Sequence, residues 1–109
     1  MSPLASMKCK ELPAGTPALG RARIDALLKE TPGWSFDGKV ITKTYAFKNY
    51  YETIAFVNAV AWVVHREDHH PDMTVGYNRC RVDFSTHSIG GISENDFICA
   101  AKIEALPGI

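Results

Sequence analysis

A chain of 109 residues and 12.0 kDa is long enough for one hydrophobic core and short for two. Hydrophobic residues make up 46% of it and charged residues 22%, the composition of a globular domain and not of a disordered tail. Twelve basic side chains balance twelve acidic ones, so there is no cationic surplus to neutralise nucleic-acid phosphates or grip an anionic membrane.

The elements follow in order. Residues 1–20 contain Pro3, Pro13, Gly15, Pro17 and Gly20 and read as a loosely ordered lead-in to a single domain over 21–109. Ile24, Leu27 and Leu28 recur at helical spacing and predict a helix over Arg21–Glu30, stopped by Thr31-Pro32-Gly33. Trp34–Phe36 and Val40–Phe47 read as a hairpin, with Asp37-Gly38 suited to a type I′ turn. Trp34 and Phe36 are expected in the core. The strongest helix runs from Asn49 to Asp68, with Asn49 as cap, Glu52 three residues on, and Pro71 forcing the stop. Met73, Val75 and Tyr77 alternate as a strand, Asn78-Arg79 turns, and Cys80, Val82 and Phe84 alternate on the next. Ser93 opens a last helix carrying Phe97, Ile98, Ala101 and Ala105, closed by Pro107-Gly108.

The order is α-β-β-α-β-β-α. It predicts an α+β sandwich: a four-stranded antiparallel sheet with three helices packed on one face. From Tyr50 to Val64 only Glu52, Thr53 and Asn58 interrupt an otherwise apolar helix. Such a helix needs cover on more than one side, either as the central helix or as a subunit interface of a homo-dimer or homo-tetramer. Cys9, Cys80 and Cys99 form no CxxC pair and read as free thiols of a reducing compartment. No apolar run at the N-terminus resembles a signal peptide, so a cytoplasmic location is expected.

All four histidines, His65, His69, His70 and His87, fall in the second half of the chain. Imidazoles exchange protons near neutrality, and this cluster is the densest candidate chemistry in the sequence. Three readings compete. The cluster is an accident of the surface; or His65 and His69, at i, i+4, hold a metal with His87; or several imidazoles perform acid/base catalysis without metal or cofactor. The run His65-Arg66-Glu67-Asp68-His69 lacks the glutamate position of an HExxH zinc helix.

His69-His70-Pro71, then Tyr77, His87 and Asp96 at intervals of five, nine and eight residues, resembles the signature of the pterin-4a-carbinolamine dehydratases. Gly33-Trp34, Ser85-Thr86-His87 and Gly91-Ile92-Ser93-Glu94-Asn95-Asp96 extend the resemblance over roughly Leu19–Leu106. The resemblance implies the fold already derived and a pterin substrate. The reaction it implies is dehydration of 4a-hydroxytetrahydropterin to quinonoid dihydropterin, in recycling after aromatic amino acid hydroxylation. His69, His70 and His87 then form the catalytic set, with Asp96 beside them: one of its oxygens suits a capping box with Ser93 and the other is expected to orient His87. His65 stands where the family often has glutamate, and is expected to lie beside His69 and tune it. Glu67 and Asp68 are the neighbouring carboxylates available for that orienting role. Functional coupling to phenylalanine hydroxylase is implied; an interaction or transcriptional co-regulator module of the same fold is the alternative.

Overall fold

The computed structural model describes residues 3–108; Met1, Ser2 and Ile109 lie outside the described residues. The elements are α1 (Arg21–Leu28), β1 (Ser35–Phe36), β2 (Ile41–Ala46), α2 (Tyr50–Glu67), β3 (Asp72–Val75), β4 (Arg79–Phe84) and α3 (Glu94–Glu104), with short 3-10 turns at Pro3–Ser6 and His87–Ile89. The expected α-β-β-α-β-β-α order is present, and the strands form one antiparallel sheet in the order β1-β2-β4-β3. Among the described residues, no helix is long and apolar enough to cross a membrane.

The pleat explains the two layers. Ile41 and Tyr45 on β2 and Cys80, Val82 and Phe84 on β4 point to one face and are buried. Thr44, Arg79 and Arg81 stand exposed on the other. Trp34 joins the buried face against Phe84 and Tyr45, at ring-centroid distances of 5.9 and 6.4 Å. Phe36 is half-buried, with the Arg21 guanidinium 5.3 Å above its ring.

Of the two roles open to α2, the structure does not give it that of the central helix. In α3, eight of eleven residues are buried; in α2, only Thr53, Phe56, Val60 and Val64 of eighteen are. The central helix is therefore α3, whose small Ala100, Ala101 and Cys99 allow close packing on all sides. Apolar residues of α2 that the sequence marks for burial face solvent instead: Tyr51 is 82% exposed and Trp62 64%.

Local chemistry sets the ends. The β1–β2 turn is not type I′: Gly38 has φ +101°, but Asp37 keeps a negative φ and spends its carboxylate on the amides of Lys39 and Val40, both at 2.9 Å. Asn49 Oδ1 accepts the Glu52 amide, while Glu52 Oε1 reaches back to the amide of Lys48. At the far end Asp68 is left-handed, with φ 52°, and the chain leaves the helix there.

The segment before α1 makes specific contacts that no periodicity announces. Leu4 is buried, Lys102 Nζ donates to the Ala5 carbonyl, and the backbone of Lys10 exchanges two hydrogen bonds with the Asn95 side chain. Glu67 is the second anchor. Its nearly buried carboxylate accepts the Cys9 amide at 2.8 Å, with Lys8 and Lys102 at 3.6 and 3.8 Å. Burial works against its charge, but the Cys9 amide and the Lys102 and Lys8 ammonium groups outweigh it and hold the carboxyl below its ordinary value of 4.5. A depressed carboxyl stabilises the fold above its unfolded value, and that contribution drains away as pH falls through the folded value. Glu67→Gln is therefore expected to cost ~1–3 kcal/mol in chemical denaturation at neutral pH. The gap between native chain and variant should close as the pH is taken below 4.5.

Candidate active site

The left-handed turn at Asp68 and the proline at 71 project His69 and His70 from a rigid junction between α2 and β3. His87 arrives from the other side, on the 3-10 turn after β4. That turn is closed at its base by a bridge between Thr86 and Gly91, with Thr86 donating its amide to the Gly91 carbonyl at 2.8 Å. Gly91 has to be glycine: a Cβ there would lie 2.6 Å from the Cβ of Ala18. The junction and the turn meet across one cavity of about 200 Å3, lined by Asp68, His69, His70, Ser85, Thr86, His87 and Ser88. The three histidines of the sequence motif are thus gathered at one place.

A buried polar network orients one of them. His69 Nε2 lies 2.6 Å from Asp96 Oδ1, and Asp96 is completely buried. The other oxygen of Asp96 accepts the Thr86 hydroxyl at 2.8 Å and the Ser93 amide at 2.9 Å. Because the Thr86 proton goes to Asp96, the Ser93 hydroxyl donates to Thr86 Oγ1 across 2.6 Å. One oxygen of Asp96 caps α3, as the sequence suggests, but the other holds the imidazole of His69 and not that of His87, the partner expected from the sequence. The His69 ring is also stacked on Phe84, with centroids 5.9 Å apart and planes 9° from parallel. A carboxylate only accepts, so Nε2 of His69 is the donor to Asp96, and in the neutral imidazole Nδ1 is the nitrogen that carries the lone pair. His70 and His87 are exposed, and His70 Nδ1 lies 3.3 Å from the Pro71 carbonyl.

Other expected members lie elsewhere. His65 is exposed on α2 and does not line the cavity. Its i, i+4 relation to His69 fails because the helix ends at Glu67, before His69 is reached. Metal ligation by that pair loses its geometric basis, and among the described residues no three His, Cys, Asp or Glu side chains are arranged to hold a metal ion. Of the two available carboxylates, Asp68 lines the cavity, whereas Glu67 is committed to the N-terminal segment. Tyr77 is exposed in the β3–β4 turn, where its carbonyl accepts the Thr53 hydroxyl. His65→Ala is therefore expected to leave turnover and its pH profile unchanged; a shift in either would place the ring at the cavity.

Thr86 and Ser93 are site residues to which sequence reasoning assigns no role in orienting His69. Both are visible there, Thr86 beside His87 and Ser93 as a cap, but their shared bond to Asp96 depends on how β4 meets α3.

Residues 17–106 match the model of the family described as pterin 4 alpha carbinolamine dehydratase. A protein of Nitrosospira multiformis named "Putative pterin-4-alpha-carbinolamine dehydratase" is 58% identical over 103 residues, covering 94% of this chain and 91% of that protein. Among solved structures, a transcriptional coactivator/pterin dehydratase from Brucella melitensis superposes with a TM-score of 0.78 at 32% identity, over 84% of this chain and 99% of its own. A pterin dehydratase-like protein described as a RuBisCO assembly factor in the alpha-carboxysome superposes with a TM-score of 0.60 at 26% identity, over 71% of this chain and 92% of its own. With its sheet order, its histidine cavity and these matches in agreement, the chain belongs to the pterin-4a-carbinolamine dehydratase family.

Proposed function

We propose that the chain dehydrates 4a-hydroxytetrahydropterin to quinonoid dihydropterin, in recycling the tetrahydropterin consumed by an aromatic amino acid hydroxylase such as phenylalanine hydroxylase. The observation that carries this reading is the convergence of three imidazoles on one cavity, one of them held by a buried carboxylate. Loss of water requires a proton delivered to the departing 4a hydroxyl and a proton taken from N5. His69 is suited to taking the N5 proton, because Asp96 fixes its ring, leaves Nδ1 as the acceptor, and stabilises the imidazolium that results. His70 or His87, on the open side of the cavity, supplies the proton to the hydroxyl, and solvent or His69 restores it. The net change is substrate to product plus water, with no electron transferred. A neutral pterin also agrees with the absence of net charge.

Binding of 7,8-dihydropterin, which lacks the 4a hydroxyl and is not turned over, tests the location. The imidazole resonances of His69, His70 and His87 are expected to move in NMR spectra while that of His65 stays still. Movement of His65 alone, or of none, would contradict the assignment.

Tyr51, Ala55, Asn58 and Trp62 share one exposed face of α2, and a second copy of the chain is the cover we assign to it. Sedimentation equilibrium at micromolar concentration is expected to give a dimer or tetramer, and Trp62→Glu to lower the mass. A 12.0 kDa species for the unmodified chain would remove the proposal. The same face supports a second reading, a docking module for another protein, which a monomer that retains the histidine cavity would favour.

A further inference from the structure

Cys9, in the N-terminal segment, and Cys99, in the middle of α3, lie ninety residues apart in sequence and have their sulfurs 3.5 Å apart. Both are free thiols. A disulfide needs about 2.0 Å between sulfurs, so closure requires a movement of ~1.5 Å, within reach of side-chain rotation. The two thiols differ in access. Cys99 is fully buried and directs its Sγ toward the His69 carbonyl at 3.7 Å as well as toward Cys9. Cys9 is half-buried and lines an open polar cavity of about 520 Å3, whose walls also include Glu67, Asp68, His69 and Asn95. The backbone on both sides of the pair is fixed: the Cys9 amide by Glu67, Lys10 by Asn95, and Cys99 by the helix.

We propose that Cys9 and Cys99 are a peroxide-sensitive dithiol, and that their oxidation clamps the N-terminal segment onto α3 beside the histidine cavity. The chemistry balances with hydrogen peroxide as oxidant. The Cys9 sulfur attacks one peroxide oxygen, the O–O bond breaks, and Cys9 sulfenic acid and water form. The Cys99 sulfur then attacks the Cys9 sulfur, the S–O bond breaks, and the departing hydroxyl leaves as water with the Cys99 proton. Two thiols are oxidised by two electrons and one peroxide is reduced to two waters. Hydrogen bonding to Cys9, and burial, hold the Cys99 thiol well above its usual range. Because peroxide reaches Cys9 through the open cavity and Cys99 is fully buried, Cys9 is the thiol first oxidised and Cys99 the resolving one. Cys80 is buried on β4 and takes no part.

Treatment of the full chain with hydrogen peroxide, followed by mass spectrometry under non-reducing conditions, tests this. The expected product has lost two hydrogens, its titratable thiols fall from three to one, and trypsin releases Cys9-Lys10 joined to residues 82–102. Dithiothreitol should reverse all three changes. The thermal midpoint should rise on oxidation, because the bridge closes a long loop of the unfolded chain. Cys80→Ser should behave as the native chain and Cys9→Ser should lose the response; at half-buried Cys9 that substitution leaves the core intact. Addition of oxygen to Cys9 without the cross-link, a dimer joined through Cys9, or an unchanged thiol count would each overturn the proposal.

Discussion

Alanine at His70 or at His87 is expected to lower the dehydration rate by ~10²–10⁴-fold, the range that a positioned acid or base contributes. Both rings are exposed on the rim of the cavity and neither fills the core, so their removal leaves folding intact. The loss should therefore appear in kcat, at unchanged thermal stability, in assays that generate the carbinolamine in situ. The two variants also separate the roles of the rings. The residue that delivers a proton to the departing hydroxyl should be rescued in part by small imidazole or formate buffers, which enter through the open side. Turnover at the native rate in both folded variants would mean that the motif marks the fold and not the chemistry.

The largest effect on stability is expected at Asp96. Its carboxylate is completely buried and accepts from Thr86 and the Ser93 amide while pairing with His69. Asp96→Ala leaves those donors without a partner, and each buried donor so stranded costs ~1–3 kcal/mol. A chain of this size has a total stability of ~5–15 kcal/mol, so the variant should unfold at a visibly lower urea concentration. Asp96→Asn is the more informative change. Its amide can still accept the Ser93 amide proton, but it then turns an NH2 toward His69 Nε2. The imidazole must answer by moving its own proton to Nδ1, the nitrogen proposed to act as base. The variant is expected to retain most of its stability and to lose turnover, with substrate affinity little changed. Equal loss of both properties in Asp96→Asn and Asp96→Ala would reduce Asp96 to a helix cap.

Much of this architecture is legible in the sequence because it rests on local physics. Alternation in Cys80-Val82-Phe84, the proline at 71 and the cap at Asn49 each act within a few residues, and the elements they predict are present. The illegible remainder depends on distant partners. The apolar composition of α2 reads as core, but composition does not say which helix lies innermost; the small residues of α3 decide that by allowing close approach. His65 reads as a neighbour of His69 only if the helix continues past it. One left-handed residue, Asp68, turns His69 away into the cavity. The N-terminal segment has no periodicity, since its contacts with Glu67, Asn95 and Cys99 are single hydrogen bonds and sulfur contacts across the whole chain. At the site, the motif spacing identifies the three histidines and Asp96, while Thr86 and Ser93 acquire their roles only where β4 and α3 meet.

The most direct test is dehydration of 4a-hydroxytetrahydropterin, generated by a hydroxylase and followed by the decay of its ultraviolet absorbance into that of quinonoid dihydropterin. The purified chain is expected to accelerate the decay in proportion to its concentration. His87→Ala at equal concentration should lose ~10²–10⁴-fold of that acceleration. Decay that stays at the spontaneous rate with folded native protein would contradict the account.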